Sequence, residues 1–420
     1  MNDVVIGAIS ARASSSPSSG HYFWSYKALG ELSRESGHLQ MPVIGEVGHD
    51  CDFITPVFRK SAAKSEFRFG PTGLFRLRPL KFLREIRMRQ RQGFTHFYSY
   101  DGGLSELWLC LFTATFVPRL NIVFNFHWAD QWNEIFDSSR SSAWAIRKSL
   151  RSLCRGKPLN LEFSAETGPF ANKVSEILGT KIHTFPIFAT TRPATLRPWE
   201  ERDLDVLALP QRHTELAVVN EILSRLEIKG FRTAIGVKEQ TWLRGTLPKD
   251  TKENREIHFL PLNEKEFGNL LSRSKTVLLP YDKKSYFTWG SSGKFNEALV
   301  FGCFPFAPEW SAIISQAGSN NLAHGIDLSD PVKAAHQIQD RINGPAPKQG
   351  QGIYIEDVAP WLKKLFPHES AHPRKPQHFA QLGGLGLVFA IYRRPISTAT
   401  IRQEWGALLD RWLNGLPFAK

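Results

Sequence analysis

The chain is 420 residues long, 42% hydrophobic and 22% charged, which is more than one hydrophobic core fills and excludes a disordered or fibrous polypeptide. Its formal net charge of +13 calls for an acidic partner or surface. The four cysteines, Cys51, Cys110, Cys154 and Cys303, form no C-x-x-C pair, which argues against a structural zinc site or a disulfide framework and for a reducing compartment.

The first residues, MNDVVIGAIS, lack a basic leader and a long apolar core, and the longest apolar-rich run, Leu107 to Val117, is shorter than a membrane span. A cytoplasmic protein is expected. Val4 to Ser10 reads as a strand, followed by the polar loop ARASSSPSSG and a helical pattern through Tyr22, Tyr26, Leu29 and Leu32. Between Arg59 and Arg91 eleven basic residues face only Glu66 and Glu85, interleaved with Phe67, Phe69, Phe75, Phe82 and Ile86. Such a segment suits an anionic membrane surface or a phosphate-rich ligand; a solvated helix face with its aromatics in the core is the alternative, and both stay open. Next come strands at FTHFYSY, NIVFNFH and LNLEFSAE, a helical segment from Leu104, another at PFANKVSEIL, and then KIHTFP. This alternation predicts a doubly wound parallel sheet.

The texture then changes at ATTRPATLRPWEERD, which has no periodicity and reads as a linker. Alternation restarts with LDVLALP, a helix through ELAVVNEILSRLEIKG, strands at RTAIGV and EIHFLP, a helix at EKEFGNLLSRS and a strand at KTVLLPY. The organisation predicted is a first domain over 1–190, a linker over 191–203, a second domain over 204–392 and a terminal helix over 393–420. That last helix carries Trp405, Leu408, Leu409, Trp412 and Leu413 at helical spacing. Two doubly wound domains would bind ligand in the cleft outside the carboxyl ends of their strands.

The stretch TWGSSGKFNEALVFG sits at that end of the second domain. A helix start presents unsatisfied N–H groups and partial positive charge, which hold an anion, phosphate above all. Ser291 and Ser292 supply hydroxyls, Gly290 and Gly293 permit close backbone approach, and Lys294 adds charge; Glu297, one turn in, can accept hydrogen bonds from sugar hydroxyls. Ordinary helix capping by a serine is the plainer alternative. In the first domain His127, Trp128 and Asp130 follow a strand, where a histidine can orient a reacting sugar and an aspartate can hold an acceptor hydroxyl. A packed strand-end histidine is the commoner case. Asp101 and Glu166 stand at strand ends too. Arg212 is placed to neutralise a leaving diphosphate, with Lys238 and Arg244 as weaker versions of the same idea. No H-E-x-x-H, P-loop or G-x-S-x-G motif occurs, and no nucleic-acid recognition module is present to use the charge.

From His258 to Pro308, and above all in EALVFGCFP, the chain resembles the donor-binding half of glycosyltransferase family 4 and its relatives of GT-B fold. SSGHYFWSYKALGELSRESGH is similar to the glycine-containing loop and first helix of that family's acceptor domain. The resemblance implies two Rossmann-like domains with a C-terminal helix crossing back to the first. It further implies transfer of a sugar from a nucleotide-diphosphate sugar to a glycan or lipid-linked acceptor, with retention, and with neither cofactor nor metal required. His127, Asp130 and Glu297 would be catalytic; Gly20, Arg212, His213, Ser291, Ser292, Gly293, Lys294 and Glu297 would hold the donor. Two positions depart from the pattern: Trp289 stands where the family often carries a second glutamate, and Arg212 with His213 only partly match a basic pair. A sugar-nucleotide epimerase or hydrolase on the same fold, or a scaffold that has lost catalysis, are the alternatives.

Overall fold

The computed structural model describes residues 79–366, apart from a few single residues and the segments 190–192, 211–215, 239–254, 284–287, 318–322 and 348–351; before residue 79 it describes 6–9, 27, 29, 43–46 and 54–58. Gly20, Trp128, Arg212, His213, most of the basic segment before Pro79 and the whole of 393–420 lie outside the described residues.

The first sheet is built from β1 (Ile6–Ile9), β2 (Val43–Glu46), β3 (Ile54–Phe58), β4 (His96–Gly102), β5 (Asn121–Phe126), β6 (Leu161–Ala165) and β7 (His183–Thr184). All pairings are parallel, in the order β3-β2-β1-β4-β5-β6-β7. Its helices are α1 (Pro79–Arg91), α2 (Leu104–Phe116), α3 (Ala129–Phe136), α4 (Ser141–Arg155) and α5 (Gly168–Leu178). A parallel sheet needs cover on both faces, and β5 shows how the sequence provides for it. Ile122, Phe124 and Phe126 point to one side, into the core that holds Phe97, Leu161, Phe163 and Trp132. Val123 points to the other, beside Ile6, Ala8 and Tyr98. Each aromatic removed from water in the larger core contributes roughly 1.5–3 kcal/mol.

The second sheet repeats this winding. Strands β8 (Leu204–Ala208), β9 (Thr233–Lys238), β10 (Arg255–Leu260), β11 (Ser274–Leu278), β12 (Phe304–Pro308) and β13 (His324–Ile326) run parallel in the order β10-β9-β8-β11-β12-β13. Helices α6 (Leu216–Ile228), α7 (Glu264–Arg273), α8 (Gly293–Val300) and α9 (Pro331–Asn343) accompany them. In both sheets the strand order reverses beside the first strand, at β1/β4 and β8/β11, which opens a crevice at the carboxyl ends.

The segment read as a linker is partly structural. Trp199 is buried in the second unit's core with Val206 and Ile338, and the buried Arg202 guanidinium donates to the carbonyls of Ser274 (2.6 Å), Phe301 (2.7 Å) and Arg197 (3.1 Å). The chain returns to the first unit earlier than 393–420. Helix α10 (Val358–Leu365) buries Val358 and Leu362 with Ile6, Tyr98 and Val123, and Trp361 stacks on Phe185 at 4.0 Å. Residues from Ile355 to Phe366 therefore contribute to packing on the first sheet, although they fall within the span 204–392 drawn for the second domain. Where the chain recrosses, Ala189 N–H donates to Ile353 O (2.7 Å) and Ile355 N–H to Ala189 O (3.1 Å). The Asn296 side chain, from α8, bonds both the N–H and the C=O of Ile353. Gly352 lies so close to α8 that a Cβ there would come within 2.9 Å of Val300 N and 3.0 Å of Asn296 O, so only glycine fits.

Candidate functional site

The carboxyl ends of the two sheets meet where Glu166, Thr167 and Lys173 of the first unit contact one turn of the second. His127 follows β5 directly and Glu166 follows β6. Because side chains alternate along a strand, Asn125 and His127 share a face, as do Ser164 and Glu166, and Asn125 pairs with Ser164 across the ladder. The result is a polar row on strands whose opposite face is phenylalanine.

These groups are bonded to one another. Tyr98, fully buried on β4, has a side-chain hydrogen bond with Ser164; burial, helped by the Glu166 charge, pushes its phenol well above the ordinary value, so it stays protonated. Ser164 Oγ donates to Asn125 Oδ1 (3.0 Å), which fixes the amide so that its Nδ2 faces Glu166 Oε1 (3.5 Å). His127 Nδ1 bonds the same carboxylate oxygen. The other carboxylate oxygen, Oε2, accepts from Ser291 Oγ, on the second unit. His127 is 0% exposed, Glu166 3% and Ser291 1%.

Around this link the units are joined further. Thr167 caps α5 by accepting from Phe170 N–H, and its hydroxyl donates to Trp289 O. Trp289 packs its ring against the first unit's core, with the Lys173 ammonium 4.4 Å from the ring centroid; Lys173 in turn bonds Asp137 (2.7 Å) and Asn133 (3.0 Å). The position that lacks the family's glutamate is therefore an anchor between units, and the carboxylate next to this turn comes from Glu166.

Helix α8 begins as helix chemistry requires. Ser292 has extended backbone, and its Oγ accepts from Phe295 N–H (3.3 Å) while sharing a hydrogen bond with Tyr281 Oη (2.7 Å). Gln316 clamps the same residue, accepting from Ser292 N–H at 2.8 Å. Ser292 is thus the helix cap, and Ser291 is the hydroxyl turned toward the other unit. Gly293 opens α8 and is buried; Lys294 and Glu297 are half-buried on its first turns. Asp130 is the second residue of α3, close in sequence to His127, and its side chain lies outside the described residues.

The structure thus brings His127, Ser291, Ser292 and Gly293 to one place. Sequence reading noted Glu166 only as a strand-end acid and passed over Thr167 and Gln316. The signal for Glu166 was the alternation N-x-H and S-x-E at the ends of two strands whose opposite face is apolar.

No protein-family model matches the chain, and no curated protein matches it. Solved structures do. A glycosyltransferase from Rickettsia africae ESF-5 is similar with a TM-score of 0.53 at 13% identity, over 86% of this chain and 93% of that one. A sucrose-phosphate synthase from Thermosynechococcus elongatus gives a TM-score of 0.46 at 11% identity, over 98% and 99% of the two chains. At such identities the fold is what is shared, and the first of these carries it: two doubly wound units facing each other in the GT-B arrangement.

Proposed function

We propose that the chain is a glycosyltransferase that moves a sugar from a nucleotide-diphosphate sugar to a glycan or lipid-linked acceptor, with retention, in polysaccharide or glycoconjugate assembly. One observation carries this reading. The turn leading into α8, a place suited to an anion, stands at the carboxyl edge of one sheet and is bonded through Ser291 to Glu166 at the carboxyl edge of the other, with His127 on the far side of that carboxylate. As the glycosidic bond breaks, negative charge grows on the departing diphosphate; the α8 N-terminus and Lys294 stabilise it. Glu297 accepts from hydroxyls of the donor, and His127 addresses the sugar from the opposite side. Asp130, at the start of α3, belongs to the acceptor side.

The basic segment supports a membrane-borne acceptor. On α1 the exposed residues Lys81, Arg84, Arg87 and Arg91 surround the exposed Leu80 and Met88, and Arg87 reaches the carbonyl of the exposed Phe116. Cations around scattered apolar groups match an anionic bilayer surface, where each is worth about 1 kcal/mol. No described helix is long and apolar enough to cross a membrane. The packing of Trp289 where a carboxylate was expected favours a second reading, a non-catalytic scaffold of the same fold.

The test is a thermal-shift screen with UDP, GDP, ADP and their sugars. A donor at a hundred times its Kd stabilises the folded chain by about 2.7 kcal/mol. Glu297→Ala should weaken that binding by about tenfold, the loss of one or two hydrogen bonds. Binding without transfer to any acceptor selects the scaffold reading; no binding by any nucleotide overturns both.

A further inference from the structure

The carboxylate of Glu166 is bonded both to His127 at the first sheet's edge and to Ser291 in the turn of the second. A carboxylate is acceptor-only, so both hydrogens in these bonds belong to its partners: Nδ1–H of His127 to Oε1, and Oγ–H of Ser291 to Oε2. With the carboxylate accepting, the first bond requires a proton on Nδ1 and fixes the ring plane with it. The second comes from the other unit and exists only while the Ser291 turn is seated. Behind Glu166 the Asn125 amide reaches Oε1 at 3.5 Å, oriented by Ser164, to which Tyr98 is bonded in turn, so it is Oε2 that is held from the other unit.

We infer that Glu166 is a positioning residue that couples the seating of the Ser291 turn to the tautomer and orientation of His127. This rests on the glycosyltransferase reading only for its consequence in catalysis. When the turn withdraws, Oε2 of Glu166 loses the Ser291 hydroxyl within a buried site, the carboxylate can turn about its 3.5 Å contact with Asn125, and its bond to His127 Nδ1 is no longer held in one geometry. When the turn seats, both are set together. The site is therefore ordered by closure rather than by either unit alone, and the imidazole is ready to act only when the two edges meet.

The experiment uses the full chain labelled with 15N-histidine, with His127 assigned through His127→Gln. Long-range proton–nitrogen correlation spectra report which ring nitrogen carries the proton. Wild type should show a single species protonated at Nδ1. Glu166→Ala and Ser291→Ala should each give a mixture of tautomers, and Glu166→Gln, whose amide oxygen still accepts from Nδ1–H, should restore the wild-type signature. With the sugar nucleotide selected by the binding screen, Glu166→Ala should lower kcat on the order of a hundredfold while KM for the donor stays within about threefold, with partial recovery in Glu166→Gln. A purely structural role would lower the melting temperature and leave the tautomer unmoved. If His127 keeps one Nδ1-protonated species in both alanine variants, the inference is overturned. Should Glu166→Ala not fold, Ser291→Ala, which truncates only a hydroxyl, decides the matter. If wild type binds no nucleotide, the functional reading fails while the spectra still judge the coupling.

Discussion

The two sheets share one winding, and in both, ion pairs lie where strands begin, while the first also carries a bonded polar row that runs to where its strands finish. In the second unit the charges gather where strands begin. Arg273, just before β11, pairs with Asp203 and Glu256 at 2.7 Å each, and these hydrogen bonds hold both carboxyls below their usual range; Lys275 pairs with Asp205 at 2.8 Å. The buried Arg255–Glu227 pair lies at that end too. In the first unit the row Tyr98, Ser164, Asn125, Glu166 and His127 runs toward the end where strands finish. Helices enter a parallel sheet at one edge and loops leave it at the other, so polar groups at strand starts tie elements together while groups at strand ends face a ligand. Position along the strand separates architecture from chemistry even though topology does not.

The largest effect should come from breaking the strand-start end of the second unit. Arg202→Met leaves the buried carbonyls of Ser274 and Phe301 without their donor, at about 1–3 kcal/mol apiece, so the second unit should lose on the order of 4 kcal/mol in denaturant unfolding. Next, Leu362→Ala empties a fully buried position on α10 and should cost about 3 kcal/mol. If α10 belongs to the first unit's architecture, this loss appears in the unfolding of that unit; a loss confined to the second would place α10 wrongly.

A smaller effect sharpens the contrast within the first unit, because His96 lies at its strand-start end. Asn121 Nδ2 donates to His96 Nε2 at 3.0 Å, Thr95 Oγ1 lies 2.8 Å from Nδ1, and burial, with Lys363 of α10 adding to it, lowers the imidazole to about 4. The unfolded chain takes up this proton at about 6.5, so its contribution is complete above pH 6.5 and is lost as pH falls toward 4. Between pH 7 and pH 5 the loss should be about 2 kcal/mol. Denaturant curves at the two pH values measure it, and His96→Gln should remove most of the difference. An equal pH dependence in the variant would assign the effect to other groups.

Much of this architecture was legible in the sequence because buried parallel strands are written as short apolar runs: NIVFNF, LDVLA and KTVLL stand out against their surroundings. The serine turn before α8 was legible from helix-start chemistry. The division of labour within it was not, since which of two adjacent serines caps the helix and which turns to the other unit depends on the local backbone; Ser292, extended, accepts from Phe295 N–H, and Ser291 donates to Glu166. The Glu166–Ser291 bond joins residues 125 apart and leaves no local trace. Helix α10 was missed for a different reason. At eight residues it is too short to show a period, and Pro360 reads as a breaker, although in a first turn it removes no hydrogen bond.

The paired crossing of the chain has a mechanical consequence. Ala189 and Ile353 to Ile355 run side by side in an isolated parallel bridge and are bonded to each other, so two passages of the chain are fastened together where the units meet. A single tether would allow tumbling in every direction; two bonded passages favour rotation about one axis and resist twisting and sliding. Asn296 fastens that axis to α8, so any swing of one unit is delivered directly to the helix whose head carries Ser291. Cutting the backbone once, at either passage, would leave the other in place and the two halves still hinged.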